Sequence, residues 1–229
     1  MELLSVNLAE PHRSEHTAAE GGLTGIDKRP VEGAVTVTAP GPRGTGGSGL
    51  AGDTIGDLRH HGGEEQAVYA FAREELDFWE GELGRTLPNG VFGENLTTRG
   101  VPVDDARIGE RWQLGTAGTG PLLEVCSMRV PCRTFAGWLS EQGWVKRFTN
   151  RRMPGAYLRV VEPGEVRAGD PVAVVHRPDH EVSVSFVFRA LTREPELLPR
   201  VLAAGEALDP QAREHALRRI PGRQPATPD

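Results

Sequence analysis

The feature that most limits what this chain can become is its punctuation. After residue 84, glycine and proline interrupt it repeatedly, leaving GVFGENLTTRG, ARIGERWQLG and PLLEVCSMRV, then AYLRVVEPGEVRAGDPVAVVHR with PGE and GD as turn signals. Between the interruptions lie branched and aromatic residues that suit short strands. The 29 glycines and 18 prolines are spread through the 229 residues instead of forming one linker. That pattern disfavours a helical bundle and predicts a mainly β body, a meandering antiparallel sheet that is closed or partly closed. The length suits one ordinary domain with room for a small appendage. With 38% hydrophobic and 25% charged residues, the chain can bury a core and differs from disordered compositions.

Residues 1–7 and 31–37 alternate as strands do, residues 9–22 are polar and loop-like, and APGPRGTGGSG reads as a flexible loop. His60-His61-Gly62-Gly63 precedes the strongest helical pattern. Val68, Phe71, Ala72, Leu76, Trp79 and Leu83 recur at three- and four-residue steps, Gly63 offers an N-cap, Glu64 and Glu65 suit the first turn, and Gly84 a stop. Near residue 185 the composition shifts. Residues 186–192 and 197–204 read as helices, and Asp209-Pro210 is a helix start leading into QAREHALRRI. The expected organisation is therefore a β body over 1–181, a three-helix extension over 182–220 and a disordered tail over 221–229.

Formal net charge is −6, which argues against nucleic acid as a partner. The basic residues are nonetheless grouped: Lys28-Arg29, Arg129 with Arg133, and Lys146-Arg147 with Arg151-Arg152. Local cations on an acidic protein suit a small anionic ligand, and equally a solvated surface. The two cysteines, Cys126 and Cys132, lie roughly 20 Å apart if the stretch is extended at ~3.3 Å per residue, too far for a disulfide. No cysteine framework, secretory leader or long apolar span is visible, so a reducing cytoplasm and no membrane are expected.

Cys132 is the sharpest chemical candidate. It follows Pro131, where a strand ladder must break, and Arg129 three residues earlier favours a thiolate, both nucleophile and soft metal ligand. The same residue also reads as a small buried hydrophobe; for Cys126, among Leu123, Val125 and Met128, burial is the expected fate. The glycines after His60 and His61 permit a ligand to approach the backbone, or simply open a helix. In GENL, Asn95 can hydrogen-bond a heterocycle edge or form a turn. Lys28, in TGIDKRPV, can bind phosphate as a point charge or remain solvated.

The order of these motifs is more specific than any one of them. TGIDKRPV, GLAGD, HHGG, AVYAF, GENLTTRG, IGERWQLG and EVCSMRVPC, in that sequence, resemble the MOSC family (molybdenum cofactor sulfurase C-terminal domain). They resemble most closely its YiiM-type branch, which carries a three-helix C-terminal extension. The likeness runs from about Ser5 to Ile220. It implies a β-barrel-like body binding molybdenum cofactor, with Cys132 as the metal ligand and Lys28, His61, Asn95 and Arg129 along the cofactor pocket. His60, Arg29 and Glu94 are neighbours. Two positions depart from the family pattern: Met128 stands where the motif has its first proline, and Thr134 where a lysine often follows the cysteine, beside Arg133.

The resemblance further implies an oxidoreductase that reduces N-hydroxylated compounds such as hydroxylaminopurines, hydroxamic acids or amidoximes. Two cysteines cannot build an iron–sulfur cluster, and GPRGTGGSG does not open a helix as a dinucleotide fingerprint must. Electrons are therefore expected from an external flavoprotein or iron–sulfur protein. Cys132 and His61 are the expected catalytic residues, His61 orienting or protonating substrate with an ordinary pKa of about 6.5. The alternatives are a non-catalytic cofactor carrier or sulfur-handling binding protein, and a cysteine hydrolase using Cys132 and His61.

Overall fold

A computed structural model describes residues 1–220; the tail expected to be disordered, 221–229, lies outside the described residues. In the first part of the chain the strands are β1 (Glu2–Ala9), β2 (His12–Arg13), β3 (Leu23–Thr24), β4 (Lys28–Pro30), β5 (Val35–Val37) and β6 (Val68–Ala72). Helix α1 (Arg73–Leu83) follows β6 directly, then come β7 (Leu96–Arg99), β8 (Arg111–Leu114) and β9 (Leu122–Met128). Helices α2 (Arg133–Leu139) and α3 (Trp144–Arg151) separate β9 from β10 (Ala156–Glu162), β11 (Gly164–Val166) and β12 (Val172–His176). The chain then turns helical in α4 (Val184–Thr192), α5 (Leu198–Val201) and α6 (Pro210–Arg219).

Eight strands form one sheet in the order β12-β8-β9-β10-β6-β7-β1-β4. Its pairs are antiparallel except β6 with β7, which run parallel. Parallel neighbours need a crossover connection, and α1 supplies it. The body is mainly β, as expected, but it is not a closed barrel. Its ends meet at the isolated bridge Glu2–Pro171, with Leu3 N donating to Asp170 O at 2.9 Å, Val172 N to Met1 O at 3.1 Å and Gly169 N to Leu3 O at 2.8 Å. Further along, β1 is committed elsewhere, since β4 takes its residues 7–9.

The prominent helix begins ten residues later than the expected cap at Gly63. Glu64–Gln66 is a single 3-10 turn, Val68–Ala72 is a central strand, and the α-helix starts at Arg73. The reason is burial on both sides. All five residues of β6 are buried, with Val68, Ala70 and Ala72 in one core and Tyr69 and Phe71 in a second. A strand covered on both faces reads as a continuous apolar run, which a helical period also matches. The stop at Gly84 holds: its φ is 64° and its N–H donates to Glu80 O.

The first core fills the sheet's one face and includes Val184, Val187, Phe188, Val201 and Ala216 from the C-terminal helices, so α4–α6 share the core of the sheet. Asp209 caps α6, accepting from Gln211 N at 2.6 Å and Ala212 N at 3.2 Å, with Pro210 at the first position. The expected helix over 197–204 is broken, since Gly205 is non-helical and only Leu198–Val201 is α-helical. The second core is aromatic. Phe71, Trp79, Phe92, Phe135, Trp144 and Phe148 meet edge to face, tilted or, for Phe148 with Phe71 and Trp79, stacked, and α2 and α3, unforeseen in the sequence, supply three of them. Among the described residues no helix is long and apolar enough to cross a membrane.

Candidate functional site

Residues from six separated segments line one cavity of about 570 Å3. The expected Lys28, His61, Asn95, Arg129 and Cys132 all lie on its wall, and so does His60. That volume falls within the 300–1,000 Å3 usual for small-molecule sites.

Lys28 opens β4 and points inward, while the next residue in this edge strand, Arg29, points to solvent and pairs with Asp27 and Glu10. The Lys28 ammonium is not a free point charge. Its side chain is 5% exposed and its Nζ pairs with Asp53, whose side chain is fully buried. Burial lowers the Lys28 pKa, Asp53 pulling the other way. The Asp53 carboxyl is itself held below its usual value: burial opposes ionisation and Lys28 overcomes it. Asp53, which sequence reasoning passed over inside GLAGD, is the hub of this corner. It also accepts from Ala9 N and, at 2.9 Å, from Asn95 Nδ2.

Asn95 is consequently engaged at both ends. Its Oδ1 accepts from Tyr69 N at 3.1 Å, and its Nδ2 serves Asp53 and, at 3.4 Å, Asn7 O. The preceding Glu94 is wholly buried and ties the 90–97 loop, accepting from Gly90 N, Phe92 N and Thr97 Oγ1. Burial raises its pKa, against these donors. Gly93 between them has φ 77°, and a Cβ there would stand 2.9 Å from Ile26 Cδ1 and 3.3 Å from Arg129 Nη1. Only glycine lets this loop pass so close to the guanidinium.

Arg129 follows β9 and is buried. Its Nη1 donates to Phe92 O, and its guanidinium carbon sits 4.1 Å from the Phe135 ring centroid and 5.1 Å from that of Tyr69. An arginine stays cationic, so this is the fixed positive charge of the cavity, held by aromatic faces and a carbonyl. Arg133 turns away, donating to the carbonyls of Glu15 and His16, and Thr134 Oγ1 also donates to His16 O. These bonds bring the loop between β2 and β3 over the cavity, where His16, Thr17 and Ala18 form part of the wall. Nothing in a polar run of residues 9–22 signals that role locally.

Cys132 stands at the N-cap position of α2, partly buried and free, against the aromatic core. Cys126 is fully buried; burial pushes its thiol up to about 12, and it donates to Glu65 O at 3.2 Å. Cys126 is thus buried, as expected, while Cys132 is the more accessible of the two thiols.

His60 and His61 lie in a turn closed by their N–H groups on Asp57 O, not at a helix start. His60 Nδ1 is 2.9 Å from Asp57 Oδ2. His61 faces the cavity, and burial, with the Arg129 charge second, lowers its pKa to about 4. The expectation of a histidine titrating near 6.5 is therefore corrected: at neutral pH His61 is an uncharged imidazole, able to donate at one nitrogen and accept at the other, but not an acid reservoir. Tyr69 and Tyr157 complete the wall, their ring centroids 5.1 Å apart, with Gln66 beside them. The mouth carries exposed Leu23 and Val130.

The profile of the MOSC domain matches residues 57–173. The uncharacterized protein YflK of Bacillus subtilis (strain 168) is 33% identical over 187 residues, 82% of this chain and 79% of that protein. A protein named only "Reductase" from Gibberella moniliformis is 29% identical over 155 residues, 66% of this chain but 27% of that protein. The crystal structure of YiiM from Geobacillus stearothermophilus superposes with a TM-score of 0.74 and 27% identity, covering 95% of this chain and 98% of that one. The chain belongs to the MOSC domain family, in the branch that includes the YiiM proteins.

Proposed function

We propose that this chain is a molybdenum-cofactor oxidoreductase that reduces N-hydroxylated substrates, hydroxylaminopurines, hydroxamic acids or amidoximes, with electrons from an external flavoprotein or iron–sulfur protein in a reducing cytoplasm. The observation that carries this reading is convergence: a partly exposed free thiol, Cys132, and a buried fixed cation, Arg129, share one cavity with Lys28, His61 and Asn95. MOSC domains are associated as a family with this cofactor, and a longer fungal relative is named a reductase.

The residues present suit the group. Among the described residues no cluster of three or more His, Cys, Asp or Glu side chains is placed to hold a metal ion. A metal that brings its own dithiolene sulfurs needs only one further soft ligand, which Cys132 Sγ offers. Arg129 supplies charge for an anionic portion, and Lys28 is held on the cavity wall by its pair with Asp53, nearly neutral as a unit. When bound, the cofactor supplies two-electron chemistry: R–NHOH, two electrons and two protons give R–NH2 and water. His61 orients the N-hydroxyl group through a neutral nitrogen, and the loop holding His16 narrows water's access. Protons come from solvent at the mouth, since the His61 imidazole is uncharged at pH 7.

The test is molybdenum and pterin analysis of protein from a host that makes the cofactor, with benzamidoxime reduction followed in parallel. Wild type is expected to hold near-stoichiometric molybdenum. Cys132→Ser is expected to stay folded, with metal ligation changed and activity lost; a fully active Ser variant would sink the ligand assignment. The neutral state of His61 favours one competing reading, a cofactor carrier, which predicts exchange of cofactor to an acceptor protein and no N-reduction.

A further inference from the structure

The loop 14–22 between β2 and β3 is joined to the body mainly by polar contacts. Arg133 donates to the carbonyls of Glu15 and His16, Thr134 to His16 O, and Arg59, from the turn that carries His60 and His61, to Ala18 O at 3.0 Å. Of the loop's side chains only that of Ala19 is buried. The loop is also bonded to itself. His16 N donates to Ser14 Oγ and Ala19 N to Thr17 Oγ1, each at 3.2 Å, and Gly22 N donates to Ala19 O at 2.9 Å. At its far end Gly21 and Gly22 have φ of 83° and 69°, and a Cβ on Gly21 would meet no atom within 4 Å. A compact loop with its own hydrogen bonds, little apolar burial and a glycine pair at one end belongs to the low-stability part of a fold, from which the lids of ligand sites are drawn.

This loop lies on α2, whose N-cap is Cys132. The His16 ring fills a notch made by Gly137: a Cβ there would overlap its Cγ and Cδ2 and stand 2.8 Å from its Cβ. His16, Thr17 and Ala18 share the cavity wall with Cys132, Arg133 and Thr134. We propose that the 14–22 loop is a gate over Cys132, latched through its backbone carbonyls by Arg133, Thr134 and Arg59 and seated by His16 against Gly137. The Arg133 and Arg59 bonds lie at the surface, where water replaces each one on opening. The gate therefore swings as a unit while both cores stay closed, and it sets how fast a ligand reaches the thiol. It acts at the site of the reading above but does not depend on which ligand binds there. Its test uses protein without cofactor, so the gate can fail while molybdenum binding stands, and the reverse.

The experiment follows the reaction of cofactor-free protein with uncharged dithiodipyridine, which releases a coloured thiopyridone as it forms a mixed disulfide. Cys126, fully buried and with its thiol pushed up to about 12, stays silent. The signal then reports Cys132 and is absent from Cys132→Ser. Gly137→Ala is the main variant: alanine is the better helix former, yet its methyl displaces the His16 ring. It is expected to react about tenfold faster than wild type or more, with Cys126 still silent. Adding His16→Gly removes the overlap and keeps the His16 carbonyl for the latch, so the rate is expected to return to within about threefold of wild type. A helix α2 that was merely destabilised would not be rescued in this way. If Gly137→Ala does not fold, Arg59→Gln and Thr134→Val carry the test, each freeing one latched carbonyl and raising the rate severalfold. Wild type reacting as fast as urea-unfolded protein overturns the proposal. So do variants that react no faster than wild type, or a faster Gly137→Ala that His16→Gly does not slow.

Discussion

Two residues in the cavity show how neighbours override a side chain's ordinary chemistry. Lys28 is a buried cation whose charge is offset by Asp53, and removing one member of such a pair leaves an uncompensated charge. Asp53→Ala is expected to destabilise the fold by about 3–5 kcal/mol, read from the urea midpoint, and Lys28→Met in that background to recover part of the loss. No recovery would mean that the pair matters only as packing. His61 titrates in the opposite sense from the usual acid-side stabiliser of a salt bridge, through burial and Arg129. Its folded pKa, about 4, lies below the ordinary value of about 6.5, so the unfolded chain takes up a proton first on acidification. The stability due to neutral His61 is full above about 6.5 and is lost as pH falls toward 4. An NMR titration is expected to show this imidazole uncharged at pH 6, and His61→Gln to flatten the stability profile across that window.

At the scale of elements, β6 and the aromatic layer decide where the site sits. Alternate residues of β6 enter two cores, and the α1–β7 unit that follows delivers Asn95 and the 90–94 loop beneath Arg129. Phe92 joins these functions: its ring packs 5.2 Å from Phe71 and 5.1 Å from Phe135, and its carbonyl holds the guanidinium. Phe92→Ala is expected to cost about 3–5 kcal/mol by chemical denaturation and to loosen Arg129, weakening retention of an anionic ligand. A loss under about 1 kcal/mol would mean that the layer collapses around the gap without strain. Helices α2 and α3 escaped the sequence reading because their apolar residues pack by aromatic contacts across short, seven- and eight-residue helices. Such helices show too few turns for periodicity to stand out.

For the whole molecule, the sheet and the C-terminal helices share one core, in which Val187, Phe188 and Val201 complete what Leu3, Val6 and Leu123 begin. A chain ended at residue 181 is expected to lose cooperative thermal unfolding and near-UV circular dichroism, because it exposes that core to water. A soluble, cooperatively folding fragment would show the body to be independent. Much of this architecture is legible locally: the first strand, expected over 1–7 and found at Glu2–Ala9, the Asp209-Pro210 cap, the Gly84 stop, the burial of Cys126 and the order of motifs that marks the family. These depend on period, caps and turn chemistry, which neighbouring residues specify by themselves. What only the tertiary structure decided depends on partners distant in sequence. Val68–Ala72 became a strand because cores formed on both its faces, and the sheet met itself at the isolated bridge Glu2–Pro171 without closing into a barrel. Asp53 took the charge of Lys28 from 25 residues away and one end of Asn95 from 42, and burial beside Arg129 set the protonation of His61. Charge, burial and pairing are sums over three-dimensional surroundings, and a linear pattern does not contain them.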